Sequence, residues 1–263
     1  TAASFVIAGA GGNVAKHGNR SVSGVSGSAD IFEYFGFDLS SEPWVVEESI
    51  EKIGIGFMFA PTFHPAMKNV APARKLIGKR TAFNLLGPLC NPAKVRHQMI
   101  GVFADKYIER IVKIMQKNFS DTVLAVRSDD GMDELSTTSK NKACLLKNEE
   151  ITEFIIDPSK YNMEKGNLIN IQISTKQEAI DAFVNVLNNT SNKTMKEITM
   201  LNAAGGLLVG GVCNRFDEGV ELALETINNG NAFKKLKQFA KENNASEKLE
   251  EFEWYGKYFR KTC

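Results

Sequence analysis

The chain has 263 residues, 43% of them hydrophobic and 24% charged, enough apolar material for a large core. Lys and Arg number 32 against 31 Asp and Glu, so the net charge is +1 and no global basic field points to nucleic acid or an anionic membrane. No apolar run reaches membrane-spanning length, and Cys90, Cys144, Cys213 and Cys263 have no CxxC spacing that would indicate zinc or a disulfide framework. This composition fits an enzyme of the cytoplasm.

In chain order, an apolar run at 5–8 precedes Val14-Ala15, and residues 14–17 read as the end of a strand. The next stretch is Lys16-His-Gly-Asn-Arg-Ser-Val-Ser-Gly24. Lys16, His17, Asn19 and Arg20 cluster around Gly18, and hydroxyls follow at Ser21, Ser23, Ser26 and Ser28. A basic turn rich in Gly and Ser, leading into a helix over 28–35, is how a backbone cradles phosphate: glycines permit close approach and amides converge on the anion. Gly/Ser clusters in general mark ordinary loops, so the density of donors carries this reading, without selecting one anion.

Ser41 can cap a helix that runs to Ile53 and closes at Gly54; residues 55–60 then read as a buried strand. The segment 61–93 holds Pro61, Pro65, Pro72, Pro88 and Pro92, five of the seven prolines, together with His64, Lys68, Arg74, Lys75, Lys79, Arg80 and Asn84. Such proline density predicts short helices and loops beside a cleft. A strand at 99–103 leads to a helix at 106–117 with Ile108, Ile111, Val112 and Met115 on one face. A strand at 122–126 runs into the turn Asp129-Asp-Gly-Met-Asp-Glu134. The paired carboxylates Asp133 and Glu134, at the end of a strand, suit Mg²⁺ shared with substrate phosphates; taken alone, they also fit a charged surface turn.

Strands at 142–147, 151–156 and 168–173 suggest an antiparallel extension. The rest reads as helical, with capping boxes at Thr175/Glu178 and Thr194/Glu197, a close-packed apolar helix at 201–212, and an amphipathic tail from Ala232. Together the elements predict an α/β fold with a central, mostly parallel sheet flanked by helices. There is no Walker A loop, no GxGxxG and no correctly spaced Gly-x-Ser-x-Gly, so no nucleophile is assigned.

Four stretches together resemble the anthranilate phosphoribosyltransferase family, in the nucleoside-phosphorylase-like class. They are Val14-Ala-Lys-His-Gly-Asn-Arg-Ser-Val-Ser with Ser26-Gly-Ser-Ala-Asp30; Phe59-Ala-Pro61 with His64-Pro-Ala-Met-Lys68; Val70-Ala-Pro-Ala-Arg74 through Thr81-Ala-Phe-Asn-Leu-Leu-Gly-Pro-Leu-Cys-Asn-Pro92; and Asp130-Gly-Met-Asp-Glu-Leu-Ser136. Leu201-Asn-Ala-Ala-Gly205 also fits. The resemblance implies transfer of a phosphoribosyl group from 5-phosphoribosyl 1-pyrophosphate to anthranilate with Mg²⁺, by a cytoplasmic homodimer that binds neither nucleic acid nor membrane. It implies that Lys16, Asn19, Arg20, Ser21, Val22, Ser23, Gly24 and Ser28 meet the phosphoribosyl substrate. Asn19 and Arg74 would contact anthranilate in a pocket lined by His17, His64 and Pro88, and Asp133 and Glu134 would bind the metal. It assigns no acid, base or nucleophile.

The resemblance implies one catalytic α/β domain over 1–263, with helices at about 61–85 bordering or belonging to a small helical domain. Phe63 stands where many relatives carry a second His. The family's N-terminal helices and its Gly-Thr-Gly-Gly-Asp pyrophosphate loop would lie before Thr1, so a shortened chain holding part of the phosphate site is expected. The alternatives are a pyrimidine nucleoside phosphorylase, a nucleic-acid-binding relative, and an inactive fragment of the same fold.

Overall fold

The computed structural model describes residues 1–21, 24–77, 83–118 and 120–259, and for Lys68, Ala71, Arg74, Lys75, Phe83, Asn84 and residues 253–259 it describes the backbone alone. The chain opens with helix α1 (Ala2–Gly9) and strand β1 (Val14–Gly18), followed by α2 (Ser28–Tyr34) and α3 (Pro43–Ile53). Gly54 ends α3 at φ 76°, a left-handed cap that glycine adopts without strain, and turns the chain into β2 (Ile55–Phe59). The proline-rich segment forms α4 (Ala60–Phe63), a 3-10 turn at Pro65–Asn69, α5 (Ala71–Ile77) and α6 (Phe83–Leu89).

Then come β3 (His97–Gly101), α7 (Ile108–Lys117), β4 (Thr122–Ser128), β5 (Asn141–Lys147) and β6 (Glu150–Ile156). The β5–β6 hairpin turns through Asn148 and Glu149 at φ 53° and 67°, a left-handed pair that matches the twist of the flanking strands. The remaining helices are α8 (Lys176–Leu187), α9 (Lys193–Val209), α10 (Phe216–Asn228), α11 (Asn231–Glu242) and α12 (Ser246–Phe259).

The α/β class is as expected, but the single central sheet divides. β1 and β2 pair parallel in one sheet, with Lys16 beside Phe57 and His17 beside Met58. The other sheet has the order β3-β4-β5-β6; β3–β4 is parallel, and the last two pairings are antiparallel. The expected strand at 168–173 is instead a 3-10 turn, Leu168–Ile171, begun by the Asn167 side chain accepting from the Ile169 amide. Leu168 and Ile169 are exposed there, so the apolar run that suggested a strand is not part of the core.

Two expected caps also move. Ser41 donates to the Asp38 carbonyl at 2.8 Å, which leaves Glu42 to begin α3. Asn192 caps α9 by accepting from the Met195 amide, so Thr194 already lies inside the helix and is buried. At α8 the expected cap is present: Thr175 accepts from the Glu178 amide at 3.1 Å. Glu178 reaches back one residue further than a capping box predicts, to the Ser174 amide.

What orients the two sheets is helix α9, packed against α1, α10, β3 and β4. A Cβ on Gly205 would stand 2.7 Å from the Met99 sulfur, and one on Gly206 would stand 2.3 Å from Ile7 Cδ1. The small apolar run is therefore the price of bringing this helix close to β3 on one side and α1 on the other. Beyond α1, an aromatic cluster fills the core: Phe5 packs edge-on to Phe183 and Phe239, both at 5.6 Å, and Phe32 lies 4.6 Å from Phe57 under β2. The α7 face of Ile108, Ile111, Val112 and Met115 covers the second sheet as its periodicity predicts. Phe5 is fully buried, so Phe5→Ala should cost roughly 3–5 kcal/mol, read as a lower midpoint with an unchanged slope in urea unfolding.

Candidate active site

β1 delivers Lys16 and His17 to its carboxyl end, and the chain then folds back over α2. The carboxylate of Asp30, its side chain 7% exposed, organises this return. Its Oδ2 accepts from the Ser21 and Gly27 amides, each at 2.9 Å, while Oδ1 takes the Lys176 ammonium at 3.0 Å. Burial alone would raise the Asp30 pKa; the two amides and Lys176 outweigh it and hold the group at about 2. Gly27 permits the fold, since a Cβ there would lie 2.6 Å from the Ser21 nitrogen and 2.7 Å from the Asn19 oxygen.

Within the turn, Ser21 Oγ accepts from the Gly24 amide at 2.8 Å, and Ser28 Oγ meets Thr1 Oγ1 at 2.6 Å. Asn19 Oδ1 accepts from the Arg20 amide. The Arg20 guanidinium lies 4.7 Å over the Phe59 ring and forks onto Glu33, so its charge is already engaged on the exposed side. Val22 and Ser23 lie outside the described residues.

The acidic turn follows β4. Met132 O accepts from the Ser128 amide, Asp130 Oδ1 accepts from the Met132 amide, and the Thr138 hydroxyl donates to Asp130 Oδ2. Asp133 lies against the end of β3, where a Cβ on Gly101 would stand 1.6 Å from its carbonyl oxygen. The Asp133 and Glu134 side chains reach solvent. Even so, the protein around Glu134 withholds enough water to raise its pKa; Asp133 adds to the rise, and Lys16 works against it. Burial lowers the Lys16 pKa, and Glu134 opposes that shift in turn. The phosphate-cradle lysine and Glu134, nearly 120 residues apart in sequence, therefore act on each other across one space. Among the described residues no cluster of three or more His, Cys, Asp or Glu side chains could enclose an ion. Two carboxylates fit Mg²⁺, a hard cation that keeps several waters and takes further oxygens from phosphate.

A third group lies beside Lys16. The His17 and His64 rings meet edge to face at 5.0 Å, and each has a buried Nε2 with no partner among the described residues. His17 bonds the Gly87 backbone, which leaves Nδ1 as its donor. Burial first, then the His64 and Lys16 charges, push the His17 pKa down despite that bond, so the ring is neutral at pH 7. Helix α6 is held here from both sides: Gln98 Nε2 donates to the Pro88 carbonyl at 2.6 Å, and Asn91 Nδ2 donates to the Ala15 carbonyl at 3.1 Å. Arg74 lies on α5, and only its backbone is described.

Sequence reasoning missed Asp30, Gly101, Asn141 and Asn202 as supports of this site. One signal was available: Asn202 is a polar residue within an apolar helical run, and such a group needs buried partners. Asp30→Asn should cost about 2 kcal/mol at neutral pH. A carboxylate held below its usual 3.8 stabilises the fold above that value and loses the contribution as pH falls toward 2. The gap in unfolding free energy between parent and variant should therefore close over that interval.

Residues 1–233 match the family model described as the glycosyl transferase family, a/b domain. The chain is 56% identical over 251 residues to anthranilate phosphoribosyltransferase of Nitrosopumilus maritimus, covering 95% of this chain and 72% of that one. It is 44% identical to the enzyme of the same name from Cenarchaeum symbiosum, covering 91% and 70%. The crystal structure of the Thermus thermophilus enzyme superposes with a TM-score of 0.85 at 32% identity, over 92% of this chain and 72% of that chain. The Saccharomyces cerevisiae enzyme in complex with PRPP and Mg shares the fold, at TM-score 0.81 and 23% identity over 93% and 69%. By sequence and by fold, this chain belongs to the anthranilate phosphoribosyltransferase family.

Proposed function

We infer that this chain transfers the phosphoribosyl group of 5-phosphoribosyl 1-pyrophosphate to anthranilate, giving N-(5-phosphoribosyl)anthranilate and pyrophosphate in tryptophan biosynthesis. The observation that carries the reading is the facing of Lys16 and Glu134, of the Asp133–Glu134 pair, with the His17–His64 ring pair beside them. Lys16, Asn19 and the Ser21–Gly24 turn with Ser28 receive the phosphoribosyl substrate. Arg20, already paired with Glu33, contributes through its backbone.

The acceptor side is Arg74 and Asn19, with His17, His64 and Pro88 as its wall. The two imidazole nitrogens, unpartnered among the described residues, offer hydrogen bonds to an aromatic amine bearing a carboxylate. An arginine fork matches that carboxylate and aims the amine at the ribose carbon. The carbon–oxygen bond to pyrophosphate breaks as the carbon–nitrogen bond forms, and the amine releases its proton afterwards. Asp133 and Glu134 would hold Mg²⁺, which neutralises charge on the leaving pyrophosphate when bound. Lys16 adds a fixed positive group on that side, and positive charge developing at the ribose is met by the acidic wall. A good leaving group makes a protein nucleophile unnecessary. The short helices of 61–85 border the acceptor pocket or belong to a small helical domain, and the full-length protein assembles as a cytoplasmic homodimer. Among the described residues no helix is long and apolar enough to cross a membrane.

Replacing Asp133 and Glu134 together by Ala should abolish Mg²⁺-dependent loss of anthranilate fluorescence; turnover with unaltered Mg²⁺ dependence would remove the metal assignment. Arg74→Ala should raise KM for anthranilate by tenfold or more, about 1.4 kcal/mol, with little change in KM for the phosphoribosyl substrate. A loss confined to the phosphoribosyl substrate would reverse the two sides of the site.

A further inference from the structure

The geometry points to Asn202 as a positioning residue for the metal-binding pair: its buried carboxamide clamps the backbone of Leu135 and so determines where Asp133 and Glu134 stand. This rests on the proposed role of those two carboxylates and extends it to a residue that touches neither metal nor substrate.

Asn202 lies on α9, 9% exposed. Its Oδ1 accepts from the Leu135 amide at 3.0 Å, and its Nδ2 donates to the Leu135 carbonyl at 2.7 Å and the Ile198 carbonyl at 2.9 Å. One side chain thus satisfies both backbone groups of the residue immediately after Glu134, as a neighbouring strand would. Both amide hydrogens are used, so Asn202 has no donor left to offer a substrate.

The rest of the surroundings narrows the turn's freedom further. The Leu135 side chain is fully buried, and Gly101 meets the Asp133 carbonyl from β3 with no room for a Cβ. Asn141 repeats the clamp one residue on, accepting from the Ser136 amide at 2.8 Å and donating to its carbonyl at 2.9 Å. The carboxylates therefore project from a segment fixed by α9, β3 and β5 while their own side chains reach solvent. Supporting groups of this kind typically govern metal affinity by about 10–100-fold.

The test titrates Mn²⁺ alone into the full chain and follows the free-ion EPR signal, with folding checked by circular dichroism. Asn202→Asp keeps size and the bond from the Leu135 amide, but sets an oxygen against two carbonyls; Asn202→Ser, too short to reach, is the second variant should the first not fold. Either should weaken Mn²⁺ about tenfold or more. Val184→Ala, a buried core change on α8, should lower Tm and leave Mn²⁺ affinity as in the parent. Parent-like affinity in the Asn202 variants, while Asp133→Asn with Glu134→Gln abolishes binding, overturns the positioning role and leaves the proposed function standing. Equal losses in Val184→Ala overturn it too, since general loosening would then explain the effect. Unchanged binding in the Asp133/Glu134 variant removes the metal reading itself.

Discussion

The site depends on how closely helix α9 can approach its neighbours. The two sheets share no strand pairing among the described residues, so their relation is set by what packs between them. Gly205 brings the helix onto Met99 and Leu124, and Gly206 brings it onto Ile7. With α1 on its other flank, α9 carries the position of β3 and β4 through to the core beneath β1. β1 supplies Lys16 and His17, and β4 supplies the acidic turn, so the spacing of opposite charges across the site follows from the size of glycine. Interiors packed at crystal-like density transmit such a displacement rather than absorb it.

Polar bonds then refine what packing sets coarsely. Asn91 ties α6 to β1 through the Ala15 carbonyl, and Gln98 ties it to β3 through Pro88. These bonds place the wall carrying Gly87 and Pro88 against His17. Asp30 does the same for the basic turn, joining two loop amides to a lysine on α8. The groups proposed to meet substrate differ from these supports in electrostatic state. Asp30 is paired on every side and held fully ionised, whereas Lys16 and His17 are pushed toward neutrality and Glu134 toward protonation. A polyanionic substrate carrying Mg²⁺, as proposed, would supply what these half-satisfied groups lack. Sites kept in that condition spend fold stability on preorganisation.

Local chemistry was legible wherever neighbouring residues settle it. The α7 face, the Gly54 cap, the Thr175 cap and the strands near 14–18 and 55–59 follow from period, cap and strand patterns. Local rules failed where two nearby residues compete for one role. Ser41 had an alternative acceptor in Asp38, and Asn192 outcompeted Thr194 by standing outside the helix with a carboxamide of suitable reach. The run at 168–171 has a strand's composition, but with two of its apolar side chains in solvent it has no sheet to join.

The basic turn at 16–24 and the acidic pair at 133–134 were visible in the sequence, because each is a dense local cluster of chemically apt groups, and their joint resemblance to one family favoured a phosphate and metal site over ordinary polar turns. The family follows from them and from the proline-rich segment between them. Tertiary structure alone decided that the two clusters face each other, that His17 and His64 form a buried pair, and that Arg20 is spent on Glu33. It also decided which residues hold them, because those bonds join distant points of the chain: Asn202 to Leu135 across 67 positions, and Lys176 to Asp30 across 146. A side chain that satisfies a backbone group so far away leaves no period or spacing in the sequence. It becomes visible only when the packing of α9 and α8 brings the two ends within hydrogen-bonding distance.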